Sequence, residues 1–148
     1  MPIEGDYEPS TMDWVREQVE TYERTGGREA NTLRDTGLPI VIVSMKGHRS
    51  GKVRKIALMR VEHAGEYALV GSRGGSPTHP AWVHNLRESA DIIVIQDGPE
   101  PHDYTVREVH GQERDEWWER AAAAYPPYNE YRERTDREIP VFVATRKG

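Results

Sequence analysis

The sequence predicts an α+β fold: about six mainly antiparallel strands curled into a small barrel, with helices packed outside. Three observations carry this expectation. Between Leu38 and Ser72, β-patterned runs follow one another across short glycine-bounded turns, which suits antiparallel pairing and leaves no room for the crossovers of a parallel sheet. Helical periodicity is confined to the amino-terminal segment, one short central stretch and a region before the last strand. The length, 148 residues, suits one domain able to bury a core without staples.

In chain order, Ser10 and Thr11 can cap a helix from Met12 to Arg24, with Trp14, Val15, Val19 and Tyr22 at helical spacing and Gly26-Gly27 to stop it. Leu38 to Met45 reads as a strand rich in branched residues. A turn from Gly47 to Gly51 leads into a strand from Val53 to Glu62, and His63-Ala64-Gly65 turns the chain into a third, Glu66 to Ser72. Thr78 to Glu88 reads as a short helix with Trp82 and Leu86 on one side. Strands follow at Ile92 to Ile95 and His102 to His110. Gln112 to Ala124 is helical, with Trp117, Ala121 and Ala124 on its apolar face. Tyr125-Pro126-Pro127-Tyr128 breaks that helix and opens a shorter one, and Ile139 to Thr145 closes the pattern as a strand.

The whole chain, 1–148, is expected to be one domain, with 1–35 as an acidic helical extension. That extension holds nine acids against four Lys/Arg, whereas Lys46 to Arg87 holds two acids against eight. A net charge of −5 argues against a general nucleic-acid or anionic-membrane binder. There is no cysteine, which excludes disulfides, thiolate metal sites and cysteine nucleophiles. The start has neither a basic nor an apolar signal region, and no apolar run reaches the roughly 20 residues of a membrane helix. A cytoplasmic protein is expected, with no integral membrane segment.

Four segments can carry chemistry. Lys46-Gly47-His48-Arg49-Ser50-Gly51-Lys52-Val53-Arg54-Lys55 holds five Lys/Arg in ten positions between two strands, which can present guanidinium forks and amides to a phosphate or carboxylate; the alternative is a solvated hairpin loop. Ser72-Arg73-Gly74-Gly75 can form a backbone nest for an anion or a polar ring edge, or be a simple turn. In Pro80-Ala81-Trp82-Val83-His84-Asn85-Leu86, Trp82 can stack on a ligand or belong to the core, and Asn85 can read a heterocycle or tie the helix to a loop. Tyr125, Tyr128 and Tyr131, at spacing three, can line a pocket or pack a helix onto the sheet, and a buried phenol can donate a proton. The six histidines form no metal set: His79 and His84, five apart, are expected on different helix faces. No serine-hydrolase elbow occurs.

Together and in this order, these blocks resemble the deazaflavin-dependent nitroreductase family, within the flavin/deazaflavin oxidoreductases of split β-barrel fold. The resemblance runs from about Leu38 to Val143 and includes Thr135-Asp136-Arg137-Glu138-Ile139-Pro140. It implies a pocket for coenzyme F420, a deazaflavin with a phosphate and polyglutamate tail, and no metal. His48, Arg49, Ser50 and Arg54 would hold the tail. Lys55, Ile56 and Ala57 would border the cofactor, Val70, Gly71, Ser72 and Arg73 would follow its edge, and Ala81, Trp82 and Asn85 would close the other side. Tyr125, Tyr128 and Tyr131 would form the substrate pocket, with Tyr128 as proton donor or positioning group. His48, Met59, Arg73 and Val83 depart from the commoner family pattern, which bears on acceptor choice. The implied activity is hydride transfer from reduced F420 to a small electron-poor acceptor (an enone, quinone or nitroaromatic); the sequence leaves both a monomer and a weak dimer open. A non-catalytic F420 carrier and an FMN-dependent split-barrel enzyme are the alternatives.

Overall fold

A computed structural model describes residues 6–33, 36–88 and 92–147. Of the expected extension, residues 1–5, 34 and 35 lie outside the described set. The first helix, α1, spans Asp13–Thr25 and ends where Gly26 turns left-handed at φ 63°. Its cap differs from the expectation. Met12 occupies the N-cap without a side-chain bond, because Ser10 Oγ instead accepts the Met12 N–H at 3.1 Å. Val19 and Tyr22 are buried, while Trp14 stays 40% exposed, so the buried stripe covers only the second half of the helix.

The sheet contains β1 (Ile40–Lys46), β2 (Val53–Met59), β3 (Glu62–His63), β4 (Glu66–Val70), β5 (Ile92–Gln96), β6 (Pro101–Glu108) and β7 (Val141–Arg146). That is one strand more than the six expected. The run from Val53 to Glu62 serves two ladders: the Arg60 N–H donates to the Pro39 carbonyl at 3.0 Å, whereas the Val61 carbonyl already accepts from Ala68 at 2.9 Å. Ala64 and Gly65 then turn the chain with φ of 52° and 83°, the left-handed pair that a tight two-residue hairpin requires.

The pairings among these seven strands are antiparallel, in the order β2-β1-β5-β6-β7-β4-β3. The two edge strands, β2 and β3, are joined by only Arg60 and Val61. A flat ladder of this order would set its edges roughly 30 Å apart, whereas such a link reaches about 11 Å. The sheet therefore curls until its edges nearly meet. Asp97, just after β5, pins this joint by accepting from Arg60 Nε at 2.8 Å and from the Tyr67 hydroxyl at 2.6 Å.

Both faces of the curled sheet are covered. Ile40, Ile42, Ala68, Val70, Val141 and Val143 share one core with Val19 and Tyr22 of α1, with Trp117, Trp118 and Ala121 of α3 (Gly111–Ala124), and with Tyr128 of α4 (Pro127–Arg134). Val41, Val43, Met45, Leu69, Ile93, Ile95 and Phe142 face the other way, onto Trp82, Val83 and Leu86 of α2 (Ala81–Glu88). Strand alternation thus assigns three helices to one face and α2 to the other. Among the described residues, no helix is long and apolar enough to cross a membrane.

Candidate functional site

The β1–β2 turn closes tightly. The Gly47 N–H donates to the Lys52 carbonyl at 2.8 Å, and the Gly51 N–H donates to the Gly47 carbonyl at 3.0 Å. A Cβ on Gly47 would sit 3.3 Å from both Arg54 Cγ and Ser50 Oγ, so the turn wraps closely around the Arg54 side chain. It is fastened to α2 through Asn85, whose Oδ1 accepts the His48 backbone N–H at 2.9 Å and also contacts His48 Nδ1. An amide oxygen only accepts, so the Nδ1 proton is assigned to this contact, which turns Nε2 toward Glu88 Oε2 at 3.5 Å.

Between this turn and α2 lies a cleft of about 570 Å³. His48, Arg49, Ser50 and Arg54 line one side; Ala81, Trp82, His84 and Asn85 line the other, with Ile56 at its floor. The cationic side of β2 thereby meets an apolar and aromatic wall. Trp82 is part of the core, 8% exposed and packed against Phe142 with ring centres 5.9 Å apart, and its remaining surface lines the cleft.

The remaining sequence-derived residues are placed elsewhere. Lys55 and Ala57 alternate onto the opposite face of β2, where Lys55 Nζ meets Glu23 of α1 at 2.7 Å and Ala57 packs on the helix-side core. Val70 faces that same core. Gly71 and buried Ser72 follow β4, and Arg73 stands exposed at φ 45° in a single 3-10 turn, Arg73–Gly75, that packs on α4. Arg137 clamps this segment, donating to the carbonyls of Gly71, Ser72 and Ser76 at 3.1, 2.7 and 2.7 Å. It also meets His79 Nδ1 at 2.8 Å, and burial followed by the Arg137 charge lowers the His79 pKa, which keeps the imidazole neutral and accepting.

Tyr125, Tyr128 and Tyr131 do come together, on the helix-side core rather than in the cleft. The Tyr125 and Tyr131 hydroxyls are 2.8 Å apart, and the Tyr128 ring stands edge-on to Tyr125 at 4.9 Å. Burial, then the hydrogen bond to Tyr131, pushes the Tyr125 pKa up to about 12. Burial drives that of Tyr128 further up, with the neighbouring phenols adding to it. Both phenols remain protonated donors at neutral pH.

Three cleft residues, Gly47 of the turn, His84 and Glu8, were absent from the sequence-derived site residues. His84 shares a helix face with Ala81, Asn85 and Glu88, a spacing that marks it on sequence alone. Glu8 has no such signal; only its pairing beside Val53 brings it there. His79 and His84 were expected apart, yet their rings lie 6.1 Å from each other because His79 precedes the helix. Among the described residues, no group of three or more His, Asp or Glu side chains is arranged to hold a metal ion.

A family model described as F420H(2)-dependent quinone reductase matches residues 14–146. The chain is 30% identical over 129 residues to an F420H(2)-dependent quinone reductase of Mycobacterium tuberculosis, covering 85% of each protein. Among solved structures, it is similar to a chain described as a domain-swapped dimer, at 46% identity and TM-score 0.70, covering 91% of this chain and 99% of that one. It is also similar to an F420-H2 dependent reductase, FDR-A, at 48% identity and TM-score 0.67, covering 72% of this chain and 93% of that one. The heme storage protein HutZ of Vibrio cholerae shares the fold at 8% identity and TM-score 0.56.

Proposed function

This chain belongs to the F420H(2)-dependent quinone reductase family, and from that premise we propose that it reduces a quinone-type acceptor with F420 held across the cleft between the β1–β2 turn and α2. The protein is an F420-dependent oxidoreductase of split-barrel fold. What supports the position is the donor set: two guanidinium groups, a hydroxyl and an imidazole converge on one side of a cleft whose other side is an indole. That combination fits a ligand with an anionic tail and a flat heterocycle.

When bound, reduced F420 supplies a hydride; the acceptor takes up one proton as well and leaves as a hydroquinone. The protein's share is orientation and charge. Arg49 and Arg54, with Ser50 and His48, are assigned to the tail phosphate and carboxylates. Ile56, Ala81 and Trp82 supply the apolar border and Asn85 holds the turn in register. The Ser72–Arg73 turn, which packs on α4, is assigned to the ring edge, and the tyrosine cluster on the α4 side of that turn, outside the cleft itself, to the acceptor, with Tyr128 as the proton donor. Lys55, Ala57 and Val70 point away from the cleft, onto the helix-side face that also carries the tyrosine cluster, and support the strands there. Quinones are preferred to enones and nitroaromatics because relatives of this chain are named quinone reductases. The proposed compartment is the cytoplasm, and the related domain-swapped dimer makes a weak dimer the reading to test by light scattering.

The deciding experiment titrates purified protein with F420 and with FMN by fluorescence, then supplies reduced F420 and a soluble benzoquinone. Tight binding of F420 alone, with quinone-dependent oxidation of the cofactor, is the expected outcome. Preference for FMN overturns the cofactor, and F420 binding without turnover makes the protein a carrier.

A further inference from the structure

The amino-terminal segment adds to the edge of the sheet beside β2. Val53 donates its N–H to the Asp6 carbonyl at 2.8 Å and accepts the Glu8 N–H at 2.8 Å, which makes a short parallel pairing of Tyr7 with Val53. Alternation along this extended segment sends its two side chains to opposite faces. Tyr7 turns toward α1, where Lys55 Nζ stands 4.9 Å over its ring. Glu8 turns into the cleft. Its Oε1 lies 3.3 Å from Arg54 Nη1 and 3.2 Å from Ser50 Oγ, two of the groups assigned to the cofactor tail.

We infer that Glu8 is an internal competitor for the tail site: residues 6–8 form a displaceable strap whose carboxylate occupies the Arg54–Ser50 cradle until an anionic tail replaces it. This rests on the assignment of that cradle to the tail of F420. The chemistry of the two occupants is alike, since a tail carboxylate and the Glu8 carboxylate make the same charge-assisted bonds to a guanidinium and a hydroxyl. Among the described residues, the attachment is slight: two backbone hydrogen bonds at a sheet edge, one ring over a lysine, and a carboxylate 41% exposed. Segments held this way open at low free-energy cost. Glu8 therefore raises the threshold for tail binding and favours ligands with enough negative charge to displace it.

The test compares the intact protein with Glu8→Gln and Arg54→Ala, each titrated with F420 and with a tail-less deazaflavin, while hydrogen exchange is followed at the Val53 amide. Glu8→Gln is expected to tighten F420 about threefold at low ionic strength, in keeping with an exposed ion pair, and to leave the tail-less ligand unchanged. F420, but not the tail-less ligand, is expected to speed exchange at Val53 as the strap lifts. If Arg54→Ala weakens F420 selectively while Glu8→Gln leaves it unchanged or weakens it, the tail site stands and the competitor is overturned. Slower exchange at Val53 on F420 binding also overturns it. If Arg54→Ala weakens both ligands equally, the tail assignment itself fails and the inference falls with it.

Discussion

Arg137 Nη2 donates to the Ser72 carbonyl at 2.7 Å, so a side chain from the approach to β7 fixes the turn that leaves β4. The same guanidinium serves Gly71 and Ser76, and only its planar fork can reach all three carbonyls. Arg137→Ala is expected to cost about 2 kcal/mol of stability by stripping these acceptors of a charged donor. Arg137→Lys should recover less than half of it. A denaturant midpoint measures the loss. Arg137→Ala should also displace the Ser72–Arg73 turn, and weakened F420 affinity in the folded variant would show it.

Gly71 faces Val83 across the β4–α2 contact. A Cβ at residue 71 would lie 2.7 Å from Val83 Cγ2, closer than atoms pack, so Gly71→Ala should destabilise by about 1–3 kcal/mol. Val83→Ala opens the space that the new methyl needs. The double variant is therefore expected to lose clearly less stability than the two single losses added together, in a double-mutant cycle by chemical denaturation.

Glu108 accepts from Arg87 at 2.9 and 2.8 Å, and this pairing, outweighing burial, lowers its pKa. A carboxylate with a depressed folded-state pKa contributes stability above its unfolded pKa and loses it as pH falls through the folded value. Because Arg87 is 39% exposed, the contribution is held to about 0.5–1 kcal/mol. Glu108→Gln should thus be less stable than the parent at pH 7, with the gap closing below the usual carboxylate range. Urea denaturation at pH 7 and pH 3 would show it. A gap that persists at pH 3 would assign the effect to packing instead.

Arg49 is exposed at the cleft mouth. Its replacement by alanine should weaken F420 about tenfold, as the loss of one charge-assisted bond, while a tail-less deazaflavin binds as before. Fluorescence titration at two salt concentrations checks this, since the difference should shrink as salt screens the charge.

Tyr128, the proposed proton donor, is buried, and that burial keeps its phenol protonated. Tyr128→Phe is expected to slow quinone reduction about a hundredfold, the scale of one general acid, with little change in F420 affinity. Single-turnover oxidation of the reduced cofactor measures it. An unchanged rate removes the phenol from the reaction.

Most of the architecture was legible because its punctuation is local. Gly26 ends α1, Ala64-Gly65 makes the hairpin, and Pro126-Pro127 separates α3 from α4. The division of Val53 to Glu62 was not, since neither glycine nor proline marks Arg60-Val61 and only the change of hydrogen-bonding partner reveals it. In the site, strand alternation alone could have sent Arg54 and Ile56 one way and Lys55 and Ala57 the other. The approach of His84 was readable from helix spacing. Glu8 was not readable, because an edge pairing between residues 7 and 53 leaves no trace in local composition.

The position of β7 also governs how the chain is made. It lies between β6 and β4, so β4 waits some seventy residues for its neighbour. A nascent chain that has reached only α4 carries two unsatisfied strand edges, on β6 and on β4, each a template for another molecule. The final strand acts as a clasp. Until Val141 to Arg146 slides between them, the two halves of the sheet are tethered but not joined.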